Sequence, residues 1–515
     1  MIDDPKRRLV LAGLLATTVL AGCTVGPNFD KPTAATPVSW FSGPKEAVKP
    51  PPSVPVAEPI DVNWWTLFHD PVLTGLEQRV AAENLDVKVA AVRLTESRAQ
   101  VGVARASLFP TLDGNASYVR QKASNNGLFA VVPSAAGASG ANGASGNSTG
   151  GVQGTGLAPF DLYQGGFDAS YEVDLWGGVK RSVESATATA EAANENRRSV
   201  LLSSLAEVAR DYIQLRGVQT ELKIARDNVR TARQSLSLTQ QRAAGGVTTD
   251  LDVANASAQL RTTLAQIPNL EQQEAALINA LSLLLGQPPN ALRADLAAAE
   301  PVPPVPPRVP VGLPSELAER RPDIREAEAK LHAATADIGV AKANFYPSLS
   351  LTGSLGLQSL QFSNAFNLNS RQYAIGPGLT IPIFQGGQLS STLHLRKAQQ
   401  QEAALNFQKI VLQAWHDVDN ALTAYKAEQA RRDELIQAVA ENQRALSLAQ
   451  ARYQEGVADF LSVLDAERSL LTAQLQLADS TTTVSSNLVA LYKALGGGWE
   501  TDMPLDQDKV VATKS

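Results

Sequence analysis

The stretch from Pro347 to Glu455, which begins Pro347-Ser-Leu-Ser-Leu-Thr-Gly-Ser-Leu-Gly-Leu357, decides the fold. Apolar and polar residues alternate through this opening and again between 371 and 384, which is the period of strands with one apolar face. From Gln388 to Glu455, 68 residues contain no glycine or proline and are rich in good helix formers. A helix of that length spans roughly 100 Å. A strand hairpin that leads into such a helix predicts a membrane barrel joined to a long helical tube.

This arrangement occurs twice along the chain. Near Phe167 apolar residues alternate with acidic and small polar ones, and a second long helix follows over 179–244. Gly102–Leu112 matches Gly339–Leu349 at an offset of 237, whereas later matches have an offset of 209 or 210. The smaller offset means that repeat one has 28 extra residues between the two strands of its hairpin. Each repeat therefore predicts a helix, a strand, a loop, a strand, a very long helix, a Gly-Val turn and a final helix. The extra residues of repeat one lie in its hairpin loop, where 134–156 is almost entirely Gly, Ala, Ser and Asn and is predicted to be mobile.

Domain boundaries follow from these repeats and from two proline-rich segments. Within repeat one, residues 71–108 are predicted to form one continuous helix, and Pro268 is expected to kink or break the closing helix. The full division is a signal peptide over 1–22, an extended lipid-anchored leader over 23–63, repeat one over 64–287 (hairpin near 109–176, helices 179–244 and 247–285), a proline-rich linker over 288–315, repeat two over 316–499 (hairpin near 347–384, helices 388–455 and 457–495), and a disordered tail over 500–515.

The N-terminus has the pattern of a targeting segment. A basic start at Lys6-Arg7-Arg8 precedes an uncharged run from Leu9 to Gly22, which has the length of a signal-peptide core and is too short to span a bilayer. The run ends Leu20-Ala21-Gly22-Cys23, which resembles the lipobox of bacterial lipoproteins, so Cys23 is expected to carry lipid after cleavage. An ordinary signal peptide with a chance cysteine is the alternative. No other run reaches 18 apolar residues, so any further membrane crossing is expected to use strands.

Composition argues against nucleic-acid binding and catalysis. The net charge is −6, and no Lys/Arg cluster follows one helix face. The single cysteine excludes an internal disulfide, and the four histidines lack zinc-ligand spacing. No Walker or dinucleotide-binding motif is present, and the G-x-S-x-G pattern at 146–150 lies in low-complexity sequence rather than at a strand–turn–helix junction. The sequence predicts that the protein is not an enzyme and needs no cofactor or metal.

Several segments resemble the TolC-like outer-membrane factors of tripartite efflux systems, in the lipoprotein branch often called NodT-type. They cover nearly the whole mature chain in order: Cys23–Pro32, Trp64-Trp65, Leu313–Leu351 with Arg321-Pro-Asp-Ile324, Gly386-Gly387, Leu461–Leu470 and Leu491–Trp499. The resemblance implies a homotrimer in which each copy gives four strands to a 12-stranded outer-membrane β-barrel, continuous with a periplasmic α-helical barrel. The implied function is an exit duct for drugs or other small solutes, in the outer membrane of a Gram-negative bacterium.

The resemblance also implies partners and site residues. The partners would be a periplasmic adaptor and an inner-membrane pump of RND type, which supplies the energy. In related channels the periplasmic tip closes where inner helices carry an apolar ring and an acidic ring, and the matching residues here are Leu461 and Asp465. Their spacing of four places them on one helical face. Some relatives have a second Asp where this chain has Ser462.

Other surfaces are assigned by position in the repeat. The acidic strand residues Asp168, Glu172 and Asp174 are expected to face a wet, cation-tolerant lumen. The two Gly-Val turns are expected to contact the adaptor; they are Gly246-Val247 and Gly456-Val457.

Two alternatives remain open from the sequence. The same channel could serve type I protein secretion or metal efflux, because cargo selection in this family lies mostly in the pump. A lipid-anchored periplasmic coiled-coil protein without a pore would account for the helices and Cys23, although it would leave the four alternating strands unexplained.

Overall fold

A computed structural model describes residues 24–33, 52–122, 159–314 and 317–500. The described residues divide into two compact units, a strand unit (those within 1–28, 101–185 and 335–397) and a helical unit (those within 29–100, 186–334 and 398–515). The strands are β1 (Val54–Val56), β2 (Thr111–Gln121), β3 (Phe160–Val173), β4 (Arg308–Pro310), β5 (Ser348–Ser359) and β6 (Arg371–Thr380). The α-helices are α1 (Pro71–Glu83), α2 (Leu85–Ala106), α3 (Gly178–Ala244), α4 (Asp250–Leu284), α5 (Arg293–Leu296), α6 (Leu317–Arg320), α7 (Pro322–Ala343), α8 (Gln388–Gln454) and α9 (Phe460–Leu495).

The strand unit contains one antiparallel sheet in the order β2-β3-β5-β6. Its register sets Phe167 against Gly114 on one side and Leu355 on the other, and Asp168 against Asp113 and Ser354. Because successive side chains of a strand point to opposite faces, the apolar residues of all four strands share one face and the polar residues share the other. The outer strands β2 and β6 each pair with only one neighbour among the described residues.

The core of the helical unit forms around aromatic side chains from distant parts of the sequence. The rings of Trp64 and Tyr492 stack with centroids 5.4 Å apart, and the Trp64 indole N–H donates to the carbonyl of Gly497 at 3.1 Å. Tyr212 is fully buried and donates to Asp70 at 2.7 Å. Burial raises the pKa of Tyr212, and the hydrogen bond to Asp70 raises it further.

Two short strands join the proline-rich segments that the sequence predicted to be merely extended. Residues of β1 pair in parallel with β4, so Val54 lies opposite Arg308. The hydroxyl of Tyr425 donates to Ser53 at 2.7 Å, directly before β1. A strand of three residues carries too little periodicity to be recognised in the sequence.

The prediction of one helix over residues 71–108 is wrong, because the helix is interrupted at Asn84. The Asn84 side chain accepts from the backbone N–H groups of Asp86 and Val87 at 2.8 and 3.0 Å, so it caps α2. It also donates to the carbonyl of Leu284 at 2.8 Å, which ties the interruption to the end of α4.

Pro268 was expected to kink or break the closing helix, and of these two outcomes the break is wrong, because α4 is continuous from Asp250 to Leu284. Proline removes one backbone donor and crowds the preceding turn. On the two sides of Pro268, Ile267 and Leu270 pack in one apolar cluster with Leu222 and Ala225 of α3. These contacts hold the helix against α3 on both sides of the proline.

Candidate functional site: the two sheet faces and the helix turns

The polar face of the sheet carries carboxylates on β2 and β3. Asp113 lies directly across from Asp168, and both are exposed. The side-chain amide of Asn115 donates to Asp168. Glu172, also exposed, lies opposite Ser350 of β5. Asp113 was not singled out from the sequence, although its place in the alternation of β2 is the signal that could have identified it.

Asp174, predicted as a strand residue, lies one residue beyond β3. Its carboxylate accepts from the backbone N–H of Lys180 at 2.9 Å, in the first turn of α3. An acidic group is favourable at a helix N-terminus because the first backbone N–H groups lack helical partners. Asp174 therefore serves the junction between strand and helix, which differs from the strand positions of Asp168 and Glu172.

The opposite face of the sheet is apolar and exposed. Its large side chains come from all four strands, and each lies well outside any core of the described chain. They include Leu112, Tyr118, Phe167, Leu351, Leu355, Tyr373, Ile375 and Leu379. A contiguous exposed apolar face of this kind marks contact with lipid or with another protein.

Aromatic side chains mark the end of the sheet that is nearest the helices. The rings of Trp176 and Tyr346 stack with centroids 4.6 Å apart, and the Trp176 indole donates to the carbonyl of Pro347 at 2.8 Å. The N-terminal segment lies against the same place, because the Val25 N–H donates to the carbonyl of Trp176 at 3.0 Å. Asn28 then accepts from Arg181 at 2.6 Å.

Both Gly-Val turns have the same backbone geometry. Gly246 and Gly456 adopt φ of 70° and 77°, which favours glycine because a Cβ would be strained there. In each turn the N–H of the following valine bonds the carbonyl of an arginine five residues back, Arg242 or Arg452, at 2.9 Å. Val247 and Val457 are 65% and 64% exposed, so each turn presents an apolar tip.

The predicted gate residues lie in the first two turns of α9. Asp459 caps this helix by accepting from the backbone N–H of Ser462 at 3.2 Å and from its hydroxyl at 2.8 Å. The hydroxyl bond is the main cause that lowers the pKa of Asp459. Leu461 and Asp465 are both exposed, and Leu461 has 54% of its surface accessible. Their neighbours Val463 and Leu464 are buried, so the pair projects from the side of α9 away from its packed face.

A buried carboxyl group lies on the packed side of the same helix. Glu467 is 6% exposed and accepts a hydrogen bond from the hydroxyl of Ser235 in α3. Burial raises the pKa of Glu467, and the hydrogen bond from Ser235 opposes this shift. The pair joins α3 to α9 on the side of the helix away from the exposed Leu461 and Asp465.

Arg242 connects the two turns and was missed at the sequence level. Its guanidinium donates to the carbonyls of Tyr453 and Gln454 at 2.8 and 3.1 Å, at the C-terminal end of α8. It also lies 4.6 Å from the centre of the Tyr453 ring. Cations are favourable at helix C-termini because the last carbonyls lack helical partners. Only the three-dimensional placement of residues 211 positions apart reveals this contact.

Comparison with known proteins assigns the chain to a family. The family model described as "Outer membrane efflux protein" matches residues 76–287 and 313–497, which is more than half of the chain. The chain belongs to this family. The efflux protein described here is 34% identical over 494 residues to the "Probable efflux pump outer membrane protein TtgC" of Pseudomonas putida, covering 93% of this chain and 94% of that one.

Two further likenesses extend over nearly the whole efflux protein. It is 31% identical to the "Probable outer membrane lipoprotein SilC" of Salmonella typhimurium over 96% of this chain and 99% of that one. The solved outer-membrane channel OprN has a TM-score of 0.82 and 32% identity, covering 93% of this chain and all of that one. These matches confirm the predicted fold class, that of the outer-membrane efflux channels, together with the predicted function and outer-membrane localisation.

Part of the sequence-based site lies outside the described residues of this efflux protein. The signal peptide and Cys23 precede residue 24, and the G-x-S-x-G pattern lies within 123–158. Within the described residues, no helix contains an apolar stretch long enough to cross a membrane.

Proposed function

We propose that three copies of the chain close into one channel by pairing the edge strand β2 of one copy with β6 of the next. The observation that supports this is a sheet with one exposed apolar face, one polar face and two outer strands whose free edges have no partner among the described residues. Unpaired backbone groups are not tolerated in a lipid bilayer, so the two edges require partners. β2 and β6 run in opposite directions along the sheet, so the pairing continues the antiparallel order.

The native mass of the detergent-extracted protein tests this closure. We expect about three times the mature monomer mass, together with stepwise ion conductance after reconstitution into planar bilayers. A monomer that persists in mild detergent would leave four strands with open edges and would contradict the channel.

The lumen of this channel is lined by the polar sheet face. Asp113, Asp168 and Glu172 would give it a cation preference, whereas Asp174 would act at the strand–helix junction. Replacing the first three with Asn, Asn and Gln is expected to lower the cation-to-anion permeability ratio toward one, because three negative charges per copy are removed. Ser350→Ala is the control on the same face, and it should leave selectivity unchanged. Equal selectivity in both variants would place the acids outside the conduction path.

Leu461 and Asp465 form the periplasmic gate, as stacked apolar and acidic rings contributed by three copies. Their exposure beside the buried neighbours Val463 and Leu464 supports this role. The double variant Leu461→Ala with Asp465→Ala should admit large antibiotics in a strain that lacks its own channel. Ser469→Ala, at another exposed position of α9, serves as the control. Unchanged antibiotic sensitivity of the double variant would contradict the gate.

The two apolar turns bind a periplasmic adaptor, which couples the channel to an inner-membrane pump of RND type. The exposed valines Val247 and Val457, held out by Gly246 and Gly456, supply the contact. A photocrosslinker at either valine should capture the adaptor, whereas one at the exposed Leu448 of α8 should not. Replacing both turns by unrelated Gly-Ser turns without any loss of adaptor association would refute this assignment.

The mature chain carries lipid on Cys23 and catalyses no reaction, because transport energy comes from the pump. Intact mass measurement after metabolic labelling with a palmitate analogue tests the lipid, with Cys23→Ser as the unlabelled control. Label retained on the Ser variant would contradict it. Small solutes such as drugs are the cargo we favour, and transport assays with paired pumps would distinguish them from secreted proteins or metal ions.

A further inference from the structure

The apolar sheet face carries charge only at the end where the hairpins connect. Among the residues of β2, β3, β5 and β6, its charged members are Arg120, Asp161 and Arg371. Arg120 lies directly opposite Asp161, and Arg371 opposite Leu357. The rest of this face is uncharged down to Leu349 and Leu379 at the other end. Charges on a lipid-facing strand are least costly at the membrane interface, so this row marks the level of the lipid headgroups.

A row of tyrosines lies one step further into the sheet. Tyr118, Tyr163 and Tyr373 each stand two residues inward from one of the three charged residues. The rings of Tyr118 and Tyr163 are 5.0 Å apart, and Phe362 from the β5–β6 loop packs against Tyr163 at 5.5 Å. The Tyr118 hydroxyl donates to Asp161 at 2.9 Å. Aromatic rings of this kind settle at the boundary between headgroups and hydrocarbon, which fixes the same level independently.

The charge at this level is positive and is not balanced by the adjoining loops. Arg120 is 3.5 Å from Asp161, and Arg371 has no salt bridge among the described residues. The connection over 123–158 contains no Asp, Glu, Lys or Arg, and the β5–β6 loop over 360–370 contains none either. Neither loop can therefore supply an anion to the two arginines.

We propose that the phosphate groups of the phosphorylated glycolipid in the outer leaflet bind Arg120 and Arg371, a pair we term the rim arginines. Arginine suits this ligand because its planar guanidinium can donate two parallel hydrogen bonds to a phosphate. The acyl chains of the same lipid cover the apolar face below. Because β2 and β6 are the two edges of the sheet, the rim arginines of adjacent copies flank one seam, and a bound phosphate there bridges two copies. This inference rests on the proposed trimeric channel.

Native mass spectrometry of the detergent-extracted full chain tests the proposal, with bisphosphorylated lipid A as the probe. The double variant Arg120→Gln with Arg371→Gln should retain lipid A roughly tenfold more weakly than the unchanged protein, because it loses charge-assisted contacts. Arg120→Lys with Arg371→Lys should lie between the two. Arg98→Gln with Arg261→Gln removes the same charge from exposed helix positions and should bind lipid A normally. Dephosphorylated lipid A should not distinguish any of these variants.

Equal lipid A retention by the rim-arginine variant and the helix control would overturn the proposal, and so would equal retention of dephosphorylated lipid A. A further variant replaces residues 125–156 by a short Gly-Ser turn. If its lipid A retention rises several-fold, that segment covers the apolar face in the unchanged protein, and the proposal is overturned. The same spectra report the trimer mass. A trimer that conducts ions without preferring lipid A contradicts only this inference, whereas a monomer contradicts the proposed function as well.

Discussion

Replacing Arg321 is expected to release the C-terminal end of α9 from the body of the helical unit. The guanidinium, with 10% of its side chain exposed, binds both carboxylate oxygens of Asp323 at 3.0 and 2.6 Å. It also donates to Asp417 in α8 at 3.2 Å and to the carbonyl of Ala494 at 3.0 Å. Burial alone would lower the pKa of Arg321, but the hydrogen bonds and charges of Asp323 and Asp417 raise it, so the group stays cationic. One side chain therefore joins the start of α7, the middle of α8 and the last turn of α9.

The free energy that Arg321→Gln costs follows from the two carboxylates that the substitution leaves without their cation. Breaking a buried ion pair costs about 3–5 kcal/mol. Both carboxylates are 35% exposed and can regain water, so we expect the lower end of that range, about 3 kcal/mol. A local opening that becomes easier by this amount accelerates amide exchange by roughly 100-fold.

Hydrogen exchange of the detergent-extracted protein measures this opening in the last turns of α9, near residues 489–495. Arg321→Lys, which keeps the charge without the planar fork, should give an intermediate rate. Arg308→Gln is the matched control, because the ion pair of Arg308 with Glu58 is largely exposed and is expected to contribute at most about 1 kcal/mol. Exchange of these amides that rises less than threefold in Arg321→Gln would refute the reasoning.

Three further predictions concern the turns and the interrupted helix. Arg242→Gln should speed exchange at the C-terminal end of α8 roughly tenfold, because the carbonyl of Tyr453 loses a charged donor; no acceleration would show that the contact is dispensable. Burial raises the pKa of Glu467, so this carboxyl contributes most stability below the ordinary glutamate pKa of about 4.3 and loses it as pH rises above that value. Glu467→Gln, which can still accept from Ser235, should therefore slow exchange of the first turns of α9 at neutral pH and reduce its pH dependence; a faster rate would contradict the sign. Asn84→Ala should lower the free energy of unfolding by about 1–2 kcal/mol through loss of the cap, as followed by chemical denaturation, and an unchanged midpoint would contradict it.

The strands could be identified from the sequence because their signal is local. A period of two requires only neighbouring residues, so the alternation near Phe167 and Leu351 fixes which side chains share a face before any pairing is known. The pairing itself adds Asp113 to the acidic face, since only the register brings it opposite Asp168.

The features that the sequence did not predict depend on contacts between distant residues. Asn84 interrupts a helix-forming pattern because its side chain caps α2 and reaches Leu284, 200 positions away. Pro268 stays within a continuous helix, and apolar contacts with α3 lie on both sides of it. Local propensity contains neither contact, so the sequence indicates a continuous helix at Asn84 and a kink or break at Pro268.

The internal repeat gives an independent reason for proposing a gate in α9 rather than in α4. Thr249 and Asp459 are equivalent positions, and each caps the helix that follows its Gly-Val turn. Two residues further on, Leu251 and Leu461 are equivalent and both exposed. The position equivalent to Asp465, however, is Asn255, so repeat one has the apolar residue without the acid. Repeat one therefore lacks an acid one turn after its exposed leucine. We expect Leu251→Ala with Asn255→Ala to leave antibiotic exclusion intact, whereas Leu461→Ala with Asp465→Ala should impair it.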